Sequence, residues 1–296
     1  MDLLSPTQPK YELKPAVLAL IRITLPPLVV GLSFYFVFKS RGDYFGVDWY
    51  RTFYPATMLL LHGSNPYQVP TFSNPVWALI PLIPLALLGE EAGHVMLYFL
   101  TLACYSAAAW RLRANLLTVS LLLLSPIVIY AAYMGNLEGL VVFGFLVPTP
   151  VGLFFFAIKP QMGLAIMAYL ACDAFRTGGL RRTVATVAPV CLAFAISFLI
   201  FGNWWSGRPQ YVIEAPWNLS VFPWSVPVGL ALFYLAIRRR QLKLSVPVSP
   251  LISPYLGLTS WSIMLFSLLE TPISMFATFA ATWMLFVAVN VLHVPL

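Results

Sequence analysis

The chain has 296 residues, of which 60% are hydrophobic and only 9% are charged. Soluble domains carry about 25% charged residues, so this composition excludes a water-soluble globular protein and indicates a chain whose solvent is the lipid bilayer. The net charge of +7 does not indicate nucleic-acid binding, because the basic residues form short clusters between apolar runs, where they set membrane orientation.

The apolar runs predict an all-α protein, a polytopic transmembrane helical bundle with about eight full spans at roughly 20 residues per crossing. The first outer loop covers residues 39–94, and residues 39–74 are the least apolar part of the chain. Within it the apolar run 76–89 is too short to span and is expected along the outer interface. The runs expected to cross are 16–38, 95–110, 115–133, 161–175, 183–201, 221–237, 250–269 and 271–292.

Residues 137–158 predict a different element, because Pro148, Thr149 and Pro150 stand near the middle of the apolar stretch. Each arm has about 11 residues, or about 16 Å of helix, which is about half a bilayer. We therefore expect a short half-membrane hairpin that brings Glu138 and Lys159 to the same face. Such partial helices are stable only when they pack within protein.

The Lys and Arg distribution predicts a multi-pass protein of the cell membrane with cytoplasmic N- and C-termini. In that orientation, twelve basic residues lie inside and five outside, and Lys243 is among those inside. Most of the carboxylates then lie on the outer face, which suggests chemistry there. The acidic residues expected outside are Asp43, Asp48, Glu90, Glu91, Glu138, Glu214 and Glu270.

Neither a metal site nor a cofactor is predicted. The three cysteines lie inside apolar runs without the spacing of metal ligands or of a disulfide framework, and the three histidines are scattered.

Residues 47–62 have helical apolar spacing and predict a juxtamembrane helix with Asp48 near its start. Asp is a preferred helix N-cap, so capping is one interpretation of Asp48, and a functional carboxylate is the other. Arg51 lies one turn further along and is a potential partner for Asp48.

Several short motifs follow one another in a recognisable order. The first is Asp48, which stands beside an aromatic residue. It is followed, in chain order, by Asn65-Pro66-Tyr67, Asn74-Pro75, Pro84-Leu85, Gly135-Asn136-Leu137-Glu138 and Lys159-Pro160. In this order the motifs resemble the GT-C membrane glycosyltransferases, most closely the polyprenyl-phosphate-mannose-dependent mannosyltransferase branch.

The resemblance covers roughly residues 15–205, so residues 1–205 are expected to form a GT-C-like transmembrane module and residues 206–296 variable C-terminal transmembrane helices. The sequence departs from the family in having Glu138 where an amide is usual, and in a shorter C-terminal half.

The resemblance implies that the protein, surrounded by membrane lipids, transfers a sugar from a polyprenyl-phosphate donor to an acceptor on the outer face. Asp48 would be the catalytic base of this transfer. Lys159 and, second, Arg208 would bind the donor phosphate, with Arg51, Asn136 and Glu138 in support. Lys159 could instead be a snorkelling lysine at a helix end.

Two other functions stay open. One is a non-catalytic GT-C-like subunit that assembles with other membrane subunits, and the other is a transporter of lipids or solutes. A transporter is expected to show internal repeats, and none is found. The aromatic residues around 204–224 fit either an interfacial belt or a surface on which sugars stack: Trp204, Trp205, Tyr211, Trp217 and Trp224.

Overall fold

A computed structural model describes residues 46–206, 213–215 and 217–290. Within these residues every regular element is a helix, which confirms the all-α prediction. The expected first span at 16–38 and the candidate residues Arg208 and Tyr211 lie outside the described residues.

The α-helices vary widely in length and are joined by short 3-10 helices and turns. In chain order the α-helices are α1 (Tyr54–Leu61), α2 (Ile83–Ala86), α3 (Glu90–Arg111), α4 (Leu116–Leu123), α5 (Pro126–Met134), α6 (Glu138–Phe143), α7 (Thr149–Phe156), α8 (Pro160–Phe201), α9 (Val226–Arg239), α10 (Val248–Ile252) and α11 (Pro272–Asn290). A π-helical turn, Trp49–Phe53, leads into α1, and 3-10 helices cover Pro66–Gln68, Val76–Leu82, Leu242–Leu244 and Leu258–Leu268.

The helix α3 covers the span predicted at 95–110, begins five residues earlier, and is long and apolar enough to cross a membrane. Glu90 and Glu91 occupy its first turn, where acidic side chains stabilise the positive end of the helix dipole. The next predicted span, 115–133, is broken into α4 and α5, which meet at an angle of 53°. Pro126 begins α5 and cannot continue the hydrogen bonding of the preceding helix.

The long helix α8 is broken at Gly178 and Gly179, which leave helical dihedral angles. Gly179 has a φ of +62°, which glycine adopts without the steric cost that a Cβ brings. The break divides α8 into arms at 160–177 and 180–201, each about as long as the roughly 20 residues of a membrane crossing. These arms match the two separate runs predicted from the sequence.

The two ends of α8 lie close together, so the chain reverses direction at the break. Tyr67 contacts Phe201 at the end of the second arm, with ring centroids 5.6 Å apart. Its hydroxyl donates to the carbonyl of Asn74, whose own amide donates to the carbonyl of Ile158, just before the first arm. A straight helix of 42 residues would separate these ends by about 63 Å.

The crossing predicted at 250–269 is wrong. Lys243 and Glu270, expected on opposite sides of the membrane, form an ion pair of 2.5 Å. Between them the return segment (residues 244–269) runs out through α10 and comes back through Leu258–Leu268. Pro250 and Pro254 lie in its outgoing half, where each removes a backbone donor and limits helix length.

By length and apolarity, two described helices could cross a membrane, namely α3 and α8, or three if the bent pair α4 and α5 is one span. This number is smaller than the eight expected. The run 76–89 forms two short helices, in keeping with its two prolines. The second arm of α8 exposes large apolar side chains along its length, including Leu192, Ile200 and Leu199, the last of which is 85% exposed.

The ion pair predicts that residues 243 and 270 lie on the same side of the membrane. In a chain whose three cysteines are replaced, Lys243→Cys and Glu270→Cys should each react with a membrane-impermeant maleimide from the same face of sealed vesicles. Labelling of the two sites from opposite faces would contradict the return segment.

Candidate functional site

Asp48 lies within the first helical turn and does not cap it. Its backbone is helical, with φ −72° and ψ −37°, and its side chain makes no capping hydrogen bond. The carboxylate instead accepts a hydrogen bond of 2.5 Å from the side-chain amide of Asn136. The oxygen of that amide accepts from the backbone N–H of Leu137, which fixes the amide with its N–H groups toward Asp48.

Close packing brings these two residues together from distant parts of the chain. Trp49 is fully buried, and its indole donates to the carbonyl of Glu90 at the start of α3. The backbone N–H of Gly46 donates to the carbonyl of Tyr133 at the end of α5. Gly135 ends α5 with a φ of +69°, and a Cβ there would lie 2.7 Å from the Cβ of Trp49. Glycine is therefore required where α5 meets the helix of Asp48.

Burial raises the pKa of Asp48 from 3.8 to about 6, although part of its surface stays exposed. The nearby Glu138 raises the pKa further, while Lys159 and the hydrogen bond from Asn136 lower it. A general base works best when its pKa lies near the working pH. The surroundings of Asp48 thus bring the pKa of its carboxyl group toward that range.

As expected, residues 137–158 form two short helices, α6 and α7, and Glu138 and Lys159 meet at their outer ends. Glu138 opens α6 and Lys159 precedes α8, and the ammonium group lies 2.5 Å from Oε1 of Glu138. Both are buried, and Glu138 is fully so. Thr259, from the return segment, donates to the same oxygen at 2.6 Å. Three separate parts of the chain therefore meet at one carboxylate.

The Asn-Pro motifs of the first loop hold the backbone next to Lys159. Asn65 accepts a hydrogen bond from the backbone of Tyr67 and so closes the Asn-Pro-Tyr turn. Asn74 donates to the carbonyl of Ile158 at 2.9 Å, and Trp77 donates to that of Phe154. The side chains of Asn65, Asn74 and Trp77 thus bond to backbone groups. They fix the backbone around the site and are not themselves site residues.

Two residues considered from the sequence, Arg51 and Trp204, take no part in the site around Asp48. Arg51 is exposed and forms no ion pair with Asp48; its carbonyl accepts from Thr71. Trp204 is buried and stacks on Tyr67 and Phe198, so it is a packing residue and not part of an aromatic belt or a sugar-stacking surface.

Two residues of the return segment were missed by the sequence reasoning. Besides Thr259, Tyr255 lies near both carboxylates: burial raises its pKa, and the charges of Glu138 and Asp48 raise it further. Thr259, Ser260 and Ser262 place three hydroxyls within four residues of an apolar run. That pattern was the available sign that the run does not face lipid.

Among the described residues, no group of three or more His, Cys, Asp and Glu side chains is placed to hold a metal ion. The chain matches no protein-family model, and it has no significant match among curated proteins or solved structures.

The buried ion pair predicts strong coupling between its members. Glu138→Gln or Lys159→Met alone should each lower the free energy of unfolding by about 3–5 kcal/mol, because the remaining charge stays buried without its partner. The double variant should lose clearly less than the sum, as measured by denaturant titration in detergent.

The matched control is Lys243→Met with Glu270→Gln. That pair is 34% and 28% exposed, and partly exposed pairs contribute about 0–1 kcal/mol. Additive losses at Glu138 and Lys159 would show that the two charges do not depend on each other.

The raised pKa of Asp48 predicts that the stability of the protein depends on pH. The folded protein holds a proton that the unfolded chain releases, so stability should fall as pH rises from about 4 through about 6. Asp48→Asn should raise the melting temperature at pH 8, with the difference from wild type vanishing near pH 4. Asp173→Asn, the same change on the first arm of α8, should leave the profile as it is.

Proposed function

We propose that the protein is an integral membrane glycosyltransferase that moves a sugar from a polyprenyl-phosphate donor to an acceptor on the outer face. The observation that carries this proposal is the arrangement at Asp48. This carboxyl group has a pKa of about 6, keeps part of its surface exposed, and lies close to Lys159 without being tied to it in an ion pair.

In the proposed step the carboxylate of Asp48 takes the proton from an acceptor hydroxyl. The acceptor oxygen then forms a bond to the anomeric carbon of the donor sugar, and the bond from that carbon to the phosphate oxygen breaks. Polyprenyl phosphate leaves with the bonding electrons. Cations stabilise the charge that develops on a leaving group, and Lys159 is the described candidate, with Arg208 as a second.

Lys159 has three N–H donors, and one is directed at Glu138. In the proposal the others are available to a phosphate oxygen, and Glu138 holds the ammonium group in place until the donor binds. Asn136 orients Asp48 through its hydrogen bond. Arg51 has no part in this arrangement, because it is exposed and not paired with Asp48.

The membrane arrangement belongs to the same proposal. We infer a GT-C-like polytopic bundle with a cytoplasmic N-terminus, in which both arms of α8 cross and the site lies toward the outer face. Because Lys243 and Glu270 lie on one side, α11 starts on the cytoplasmic side and ends on the outer face, contrary to the cytoplasmic C-terminus expected from the sequence. Exposed apolar side chains on the second arm and on α11, such as Leu199 and Ile273, support burial of these helices in lipid. Arg176, near the reversal of α8, donates to the carbonyl of Ile237, so the basic clusters after the first arm and after α9 lie at one end of the bundle.

A second candidate is a non-catalytic subunit of a larger membrane complex. The closed pair of Glu138 and Lys159 favours it, because a lysine neutralised by a buried carboxylate has less positive charge to offer a phosphate. In a degenerate enzyme such a pair would persist as a structural link between the ends of the hairpin.

The enzyme proposal predicts that purified protein transfers sugar from at least one polyprenyl-phosphate sugar to an acceptor. Asp48→Asn should lower kcat by about a hundredfold or more, the usual contribution of a general base. The wild-type rate should rise with pH to a plateau above about 6, as the carboxyl group of Asp48 becomes ionised.

Asp173→Asn is the matched control and should retain wild-type rates. Full activity of Asp48→Asn would exclude Asp48 as the base. If no polyprenyl-phosphate sugar is a donor and the protein is recovered only within a larger assembly, the subunit is the correct interpretation.

A further inference from the structure

One side chain joins two loops that are far apart in the sequence. Asn218 donates to the carbonyls of Ile213 and Pro254, both at 2.9 Å, and its oxygen accepts from the backbone N–H groups of Leu256 and Ser220. The backbone of Leu219 adds a bond to the carbonyl of Leu256. The Trp217 loop (residues 217–220) is therefore fixed to the tip of the return segment.

This connection places two aromatic side chains beside the candidate site. Tyr255, at the tip of the return segment, is partly exposed and lies within reach of the charges of Asp48 and Glu138. Trp217 makes a side-chain hydrogen bond with Tyr255, and half of its surface remains exposed. Four residues after Tyr255, Thr259 anchors the segment to Glu138.

We propose that Trp217 and Tyr255 form the binding surface for the acceptor sugar, with a pyranose ring lying on the exposed indole and its hydroxyls next to Tyr255 and Asp48. This inference rests on the proposed glycosyl transfer and names one subsite of it. The surface combines apolar rings with a few fixed polar groups, the usual composition of a site for a small polar ligand.

The charges around the site distinguish acceptor from donor. The donor sugar is attached to a phosphate and belongs on the side of Lys159, which pairs with Glu138 and is buried. Trp217 is half exposed and makes a hydrogen bond with Tyr255, which lies near Asp48. In the proposal, an acceptor whose hydroxyl reaches Asp48 therefore lies against Trp217 and Tyr255.

The fixed geometry of the aromatic pair also favours binding. Trp and Tyr have few rotatable bonds, so they provide a large contact area at a low cost in conformational entropy. Asn218 uses both of its amide N–H groups and its oxygen to hold the two loops together. The surface is thus largely formed before a ligand arrives, and sugar binding requires little further ordering of the two loops.

The test measures KM for acceptor and for donor separately in the full-length protein. Trp217→Ala should raise the acceptor KM by about tenfold, the effect of losing one aromatic contact, and leave the donor KM within about twofold. Trp217→Phe should recover part of the loss, and Tyr255→Phe should raise the acceptor KM by a smaller factor. Trp110→Ala is the matched control, because Trp110 is 49% exposed and lies at the end of α3 away from Glu90, and its KM values should not change.

A wild-type acceptor KM in Trp217→Ala, or a change that falls on the donor KM, would overturn the inference. A binding experiment separates this failure from failure of the proposed function. Soluble oligosaccharides of mannose, arabinose, galactose and N-acetylglucosamine are tested by saturation-transfer NMR with the wild type and Trp217→Ala. If the wild type binds a sugar, Trp217→Ala does not, and no transfer activity is found, the sugar surface is supported and the glycosyltransferase proposal is rejected. If the wild type binds none of these sugars, the sugar surface is rejected.

Discussion

The contact between Glu138 and Lys159 is the constraint on which the rest of the site depends. A charge in a low-dielectric interior is costly, so each of these side chains is tolerated only while the other is present. Their 2.5 Å contact closes the hairpin of α6 and α7, and it fixes the positions of their neighbours in the chain. Asn136, two residues before Glu138, is thereby aimed at Asp48, and Ile158, just before Lys159, is bound to the first loop by Asn74.

The same carboxylate links structure to chemistry. A neutral amide at position 138 would leave the buried Lys159 without a counter-charge. The negative charge also acts on Asp48, since it raises the pKa that burial has already raised, while Lys159 acts in the opposite direction. A substitution in the hairpin therefore changes the proton affinity of a residue 90 positions away in the chain.

Local patterns in the sequence predicted the features that depend on local physics. The apolar run 95–110 predicted α3, helical apolar spacing predicted the helix of Asp48, and Pro148 and Pro150 predicted the hairpin that brings Glu138 and Lys159 to one face. Spacing along one helix, however, suggested Arg51 as the partner of Asp48, whereas the observed partner, Asn136, is 88 residues distant. A hydrogen bond of this kind is decided by tertiary packing, here by the close approach of Gly135 to Trp49.

Hydropathy was least informative in the C-terminal part. An apolar run that leaves and returns has the same composition as one that crosses, and the segment before Glu270 was assigned a crossing for that reason. The contacts that distinguish the two cases are single polar pairs: Thr259 with Glu138, and Lys243 with Glu270. The hydroxyls at 259, 260 and 262 were a local sign of the difference, but the residues they contact lie in other parts of the chain.

The shape of the return segment has a consequence for how the protein is made. Its longest helix, Leu258–Leu268, covers about 22 Å at 3-10 spacing, and the turn at its tip has backbone groups that only other parts of the protein satisfy. In the proposed membrane arrangement, such a segment is not stable against lipid by itself. We therefore expect the part that presents Tyr255 and Thr259 to take its final position only after α3, the hairpin and α8 have assembled around it.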